Sequence, residues 1–118
     1  MICSVYPTFL IGNDENLKKI FENEESTFFL DMKNINVQKK TTFVWLLQNG
    51  GYDRSGFISS KTYTETNCSK MGLKALDKYM FEGPMGSGET LHIGGSPDWI
   101  YPLPGTVGHT ILKFICKN

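Results

Sequence analysis

The stretch GPMGSGET, Gly83 to Thr90, stands one letter away from the phosphate-cradling pattern G-x-x-x-x-G-K-[ST]. Holding a phosphate takes inward-turned backbone N–H groups, a lysine on the terminal phosphates, and a helix whose N-terminus faces the anion. The glycines are present. The lysine position, however, is Glu89, whose carboxylate repels phosphate, and TLHIGGSP reaches Gly94, Gly95 and Pro97 too soon for a helix to form. Gly83–Gly88 therefore reads as a hairpin turn between two strands, its glycines supplying positive φ angles. No nucleotide and no cofactor is expected.

The remaining reactive side chains are three cysteines and two histidines. A metal centre needs at least three converging ligands, and nothing in the chain spaces Cys, His, Asp or Glu in that way. His92 falls on a predicted strand and His109 in the first turns of a predicted helix, where a surface position is expected. Cys116 follows His109 by seven residues, about two helical turns, so a Cys–His nucleophilic pair is possible on spacing alone. It requires Cys116 to be a free thiol. Cys68 and Cys116 read either as a disulfide or as buried thiols in a reducing compartment. Cys3 is the odd one: a leftover thiol, an intermolecular bridge, or a lipid-attachment residue. The expectation is a protein that is not an enzyme.

These groups must be positioned by one domain, since 118 residues bury a single modest core. Lys plus Arg equals Asp plus Glu at 12 each, so nothing argues for nucleic acid as a partner. No apolar run is long enough to cross a membrane. The first residues, MICSVYPTFLIG, are apolar but lack a basic n-region and a small-x-small cleavage site, and Pro7 interrupts them. Residues 1–16 are read as an N-terminal arm or signal remnant, and residues 17–118 as the folded domain.

Along the domain, Leu17, Ile20 and Phe21 fit helical spacing with Asp14 as a candidate N-cap, yet the segment is short and ENEES suits a hairpin turn, which favours a strand. TFFLDM follows with Phe28, Leu30 and Met32 on one face. MKNINVQKK reads as a connection with room for one helical turn, and Lys39 and Lys40 as a solvated turn. In TTFVWLLQ, Phe43, Trp45 and Leu47 line one face and Val44 and Leu46 the other. That predicts a mid-sheet strand covered above and below, with Trp45 in the core. NGGYDRSG is a surface loop, and FISSKTYTETNC a strand with one wet face.

GLKALDKYMFE fits a strand with Leu73, Ala75, Tyr79 and Phe81 on one side, although Asp77 breaks the pattern. ETLHI and DWIY are two further short strands. Phe28, Phe29, Phe43 and Phe57 read as core or strand-pairing surface. Trp99, between Pro97 and Pro102, either covers the helix from outside or lies exposed at a contact surface. Thr106 is a competent N-cap for a C-terminal helix whose Val107, Ile111, Leu112 and Ile115 make one apolar stripe. The expected class is α+β: an antiparallel β-sheet of about six strands packed by that helix.

From Thr27 onward an aromatic strand ends in Asp31, then come Ile35, a Val44-Trp45 strand, SSK, Cys68, GPMGSG, Trp99, PLPGT and a final Cys116. That order of pieces resembles the bacterial surface-adhesin protein E family. Asn67 departs from the pattern, in which an acid precedes the cysteine. The resemblance pairs Cys68 with Cys116, which would join helix to sheet and close off the nucleophilic pair with His109. It implies a secreted, periplasmic or outer-membrane surface setting and binding rather than catalysis, with host extracellular-matrix or serum proteins as partners. In that bacterial setting the glycosylation-type triplet Asn67-Cys68-Ser69 reads as chance.

Loops Asn49–Gly56 and Gly83–Gly88 are the expected binding surface, with Tyr52, Asp53, Arg54, Met85, Ser87 and Trp99 as candidate residues. Open sheet edges make a homodimer an expectation too. The alternative function is a periplasmic small-molecule-binding or envelope-associated domain that uses a sheet face as a pocket.

Overall fold

The computed structural model describes residues 16–51 and 56–117. Residues 1–15 of the expected arm, with Cys3 and Asp14, and Tyr52, Asp53 and Arg54 of the expected binding loop, lie outside the described residues.

Seven antiparallel strands form one sheet among the described residues: β1 (Leu17–Glu22), β2 (Ser26–Asp31), β3 (Asn36–Gln38), β4 (Thr41–Gly50), β5 (Ser59–Asn67), β6 (Gly72–Phe81) and β7 (Thr90–His92). Their spatial order is β1-β2-β4-β5-β6-β7, with β3 beside the first residues of β4. A helix, α1 (Val107–Lys117), follows. The class is the expected one, with the disulfide between Cys68 and Cys116 joining the end of β5 to α1.

Local chemistry explains most boundaries. In the β1–β2 turn, Asn23 Oδ1 accepts from the N–H groups of Glu25 and Ser26. Asp31 ends β2 by capping a single 3-10 turn, Met32–Asn34, through Lys33 N. Beyond it, residues read from sequence only as a connection add β3 to the sheet, turning back to β4 at Lys39, whose φ is 55°. Thr106 caps α1, its Oγ1 accepting from His109 N.

Two strands carry an extra residue, and each changes which side chains share a face. In β1 the register jumps between Lys19 and Phe21, leaving Ile20 as the insertion. This is why Leu17, Ile20 and Phe21 carry helix-like spacing while lying in a strand. In β6 the pairing steps from Asp77 to Ala75 against Tyr63 and Thr64, leaving Leu76 unpaired. Leu73 and Ala75 therefore face one side, and Asp77, Tyr79 and Phe81 the other. The single apolar face expected from Leu73 to Phe81 is corrected, and Asp77, the residue that broke the pattern, lies just past the bulge.

DWIY is not a strand. Only Ile100 pairs, exchanging N–H···O bonds of 2.9 and 2.8 Å with Leu73. Pro97 and Pro102 bracket the segment and deprive it of ladder donors. Single bonds from Ile93 to Lys78 and from Ser96 to Ala75 still lay the chain along β6.

The helix covers one face of the sheet. Ile111 and Ile115 pack with Phe28, Leu30 and Val44, flanked by Ile20, Phe21, Met32 and Leu46. By register the same face carries Thr64 and Thr66 of β5, both buried, with the Thr66 hydroxyl donating to Thr42 O at 3.1 Å. Burying each of Ile111, Leu112 and Ile115 contributes roughly 1.5–3 kcal/mol.

Among the described residues no α-helix lies on the opposite face. Trp45, expected in the core, is half-buried there, because one helix can dry only one side of a sheet. Leu47 on that face is buried at 2% exposure, beneath the Gly83–Gly88 turn rather than beneath a helix.

The Cα atoms of Cys68 and Cys116 stand 5.5 Å apart across a separation of 48 residues. Closing a loop of that length removes unfolded-state entropy worth about 4 kcal/mol in the chain-entropy model. A Cys68→Ser/Cys116→Ser double variant should lose about that much stability, read as a lower urea midpoint with a steeper slope, because the unlinked unfolded chain exposes more surface. Ile115→Ala in the bridged protein should cost about 2–5 kcal/mol by the same measurement.

Candidate functional site

The face left open by α1 carries a trough of about 700 Å³, within the size range of small-ligand sites. Its floor is Trp45, Leu47 and Tyr79, contributed by β4 and β6, with Lys61 of β5 between them. One wall is Asn16, Leu17 and Asp31 with Lys33 and Asn34 of the 3-10 turn; the other is Pro84–Ser87. Strand alternation dictates the floor, since Trp45, Leu47, Lys61 and Tyr79 all lie on the side away from Val44, Thr62 and Met80.

The second wall is held tightly. Ser59, fully buried, donates its hydroxyl to Gly83 O at 2.7 Å and accepts from Gly86 N at 2.9 Å. Asn49 Oδ1 accepts from Met85 N at 2.7 Å. Across the turn, Glu82 N donates to Glu89 O and Gly83 N to Ser87 O, which closes the β6–β7 hairpin as expected. Gly86 and Gly88 have φ angles of 75° and 81°, but Met85 also sits at 56°, a left-handed conformation that side chains rarely take. The turn is thus a fixed lip over the sheet and not a free loop.

Charges in the trough are unequally occupied. Asp31 accepts from Lys33 N and from Asn34 Nδ2 at 2.9 Å. Among the described residues neither Lys33 nor Lys61 forms an ion pair, and the Lys61 ammonium lies 5.9 Å from the centre of the Phe81 ring.

An aromatic row continues from the floor. Trp45 lies 5.0 Å from Tyr63 and 6.2 Å from Tyr79, Phe43 stacks on Tyr63 at 6.3 Å, and Tyr79 stacks on His92 at 4.6 Å. His92 Nε2 donates to Asp77 Oδ1 at 2.6 Å, so β7 is fastened to β6 by a side-chain bond beside the ladder.

The sequence-derived candidates separate into groups. Met85 and Ser87 meet in the trough wall. Trp99 is half-buried at the other end of β6. There Lys74 Nζ stands 5.9 Å from its ring centre, and Gly72 leaves no room for a side chain, because a Cβ would come 2.6 Å from the Tyr101 ring. His109, expected at the surface, is half-buried. Cys116 is bridged, which removes the Cys–His nucleophile. No three His, Cys, Asp or Glu side chains converge as a metal site among the described residues. Sequence reasoning missed Lys33, Lys61 and Tyr79. The alternation of Lys61 with Thr62 and of Tyr79 with Lys78 held the signal, but only a known open face gives it meaning.

The hydrogen bond from His92, the largest cause, holds the Asp77 carboxyl below its ordinary value of 3.8, and the Asp77 charge raises the Tyr79 phenol above 10.0. A depressed carboxylate stabilises the folded state above its ordinary value and loses that contribution as pH falls through the lowered one. The clasp between β6 and β7 should therefore stay intact through mildly acid pH. Carbon-detected NMR should find Asp77 titrating below 3.8, and His92→Gln should return it towards the ordinary value.

Residues 16–117 match the family described as surface-adhesin protein E. No curated protein matches the chain. Among solved structures, crystal form II of Haemophilus influenzae protein E aligns with a TM-score of 0.69 at 16% identity, covering 86% of this chain and 87% of that one. A second structure of Haemophilus influenzae protein E gives 0.66 at 16% identity, with coverages of 86% and 84%. Protein E from non-typeable Haemophilus influenzae gives 0.61 at 15% identity, with coverages of 85% and 76%. At such identities the solved structures establish the shared fold, while the family match spans nearly the whole described chain. This chain belongs to the surface-adhesin protein E family.

Proposed function

We propose that this protein is an exported, non-catalytic binding domain, residues 17–118, that attaches to host extracellular-matrix or serum proteins from the bacterial surface. The observation that carries the reading is the apolar row on the chain running from β7 towards α1. Leu91, Ile93, Ile100, Tyr101 and Leu103 are all exposed, Leu103 at 72%. Large apolar side chains gathered on one exposed segment mark interaction surfaces. They accompany the sheet edge at β7, where a further strand can add by backbone pairing.

Trp99, beside Tyr101, extends that surface, and Tyr52, Asp53 and Arg54, which lie outside the described residues, stay in the proposal as candidate contact residues by sequence alone. The same edge can pair with a copy of itself, which makes a homodimer part of the proposal. The family match and the bridge between Cys68 and Cys116 support an extracytoplasmic setting, whether periplasm, outer-membrane surface or medium. One observation favours the second reading as an additional property: the trough on the open face has the size of a small-ligand pocket.

Surface plasmon resonance of the bridged protein over immobilised matrix and serum proteins tests the main reading. Binding to at least one of them is expected, and Ile100→Ser/Leu103→Ser should weaken it about ten-fold or more with the unfolding midpoint little changed. Absence of binding across the panel, or binding indifferent to those substitutions, would overturn the assignment of this surface. Light scattering on the same samples reads the homodimer.

A further inference from the structure

The trough combines features that select one ligand chemistry. Its floor presents the Trp45 and Tyr79 rings, centres 6.2 Å apart, on a face that no α-helix covers among the described residues. Its rim is polar: Asn16, Asn34 and Ser87 with two lysines. Asn34 spends one N–H on Asp31 and keeps its other N–H and its carbonyl oxygen; the Ser87 hydroxyl donates to Pro84 O and can still accept. A wholly apolar guest would strip water from these groups without replacing its hydrogen bonds. A wholly polar guest would leave the rings wet.

A carbohydrate answers both demands. The C–H face of a pyranose ring is electron-poor and lies against the negative face of an aromatic ring, while its hydroxyls reach sideways to amides and hydroxyls. A peptide strand is less suited here, because the floor lies in the sheet interior, where the backbone groups are already paired.

Charge narrows the class further. The carboxylate in the trough, Asp31, is already engaged by Lys33 N and Asn34, whereas the ammonium groups of Lys33 and Lys61 have no carboxylate partner among the described residues. An incoming anion meets two cations that line the trough, one from the 3-10 turn and one from the β5 strand of the floor. The fixed lip of Pro84–Ser87, bonded through Ser59 and Asn49, means the trough is shaped before a ligand arrives.

We propose that this trough binds an acidic carbohydrate, with sugar rings over Trp45 and Tyr79 and a carboxylate held between Lys33 and Lys61. This rests on the pocket reading of the open face and is independent of the apolar surface around Leu103.

The test is titration calorimetry on the bridged protein with three probes: an oligosaccharide of uronic acid and N-acetylhexosamine, the same oligosaccharide with its carboxylates reduced to alcohols, and 2-naphthoate as an aromatic carboxylate. The uronate should bind, weaken as salt rises, and lose about ten-fold or more in affinity in Lys33→Gln and in Lys61→Gln, the loss of one charge-assisted hydrogen bond. Trp45→Phe should weaken binding too, and urea unfolding of each variant separates loss of the site from loss of the fold.

Equal binding of the reduced oligosaccharide, or uronate binding unmoved by both lysine variants in folded protein, would overturn the proposal. Naphthoate binding without uronate binding would overturn the ligand class while sustaining the pocket. No heat with any probe at millimolar concentration would remove the pocket reading as well, and protein attachment through Leu103 would be untouched by that result.

Discussion

A single amphipathic helix has to cover a sheet whose central strand is apolar on both sides. β4 offers Val44 and Leu46 to one face and Phe43, Trp45 and Leu47 to the other, and α1 can dry only the first. Its own hold is one stripe, Ile111, Leu112 and Ile115, on a helix of three turns. The bridge from Cys116 to Cys68 holds the helix against that face even when the unfolded chain competes. Everything on the other side follows from this asymmetry. Leu47 must be covered by something else, and the Pro84–Ser87 lip does it, tied down through Ser59 and Asn49. Trp45 and Tyr79, left beyond the lip, become the floor of a trough.

Two inserted residues shape how the faces are populated. Without Leu76 as an extra residue, strict alternation would set Asp77 among the side chains opposed to Lys78 all along β6 and place Leu73 on the same side as Tyr79. The insertion lets β6 serve the helix side at its start and the open side at its end. Past the insertion, regular alternation sets Asp77 and Tyr79 on the open side, where His92 donates to the carboxylate and stacks on the phenol ring. Ile20 does the same for β1, so that Leu17 lines the trough while Phe21 reaches the core beside Phe28.

The shared fold and the surface chemistry are set by different residues of the chain. About one residue in six is identical to the solved protein E structures, and the fold persists over most of both chains. The groups that meet a partner are side chains on this chain's own edge segment, turn and trough floor, and those must be judged by their own geometry.

The hairpin at Gly83–Gly88, the Thr106 cap, the stripe on α1 and the strand at β4 were all legible in the chain, and the order of motifs pointed to the family and to the cysteine pair. Each of the local features is decided by groups within a few residues of one another: a hydroxyl reaching a backbone N–H, a side chain four positions along a helix, a glycine relieving a turn. DWIY failed as a strand because its flanking prolines outweighed its apolar letters. The one-residue shifts at Ile20 and Leu76 left only faint traces, a helix-like spacing and a misplaced aspartate. The site itself draws on residues from Asn16 to Ser87 in six separate stretches of chain. Which of two apolar faces the helix covers, and hence whether Trp45 is core or floor, is a contest of long-range contacts that no short window of sequence contains.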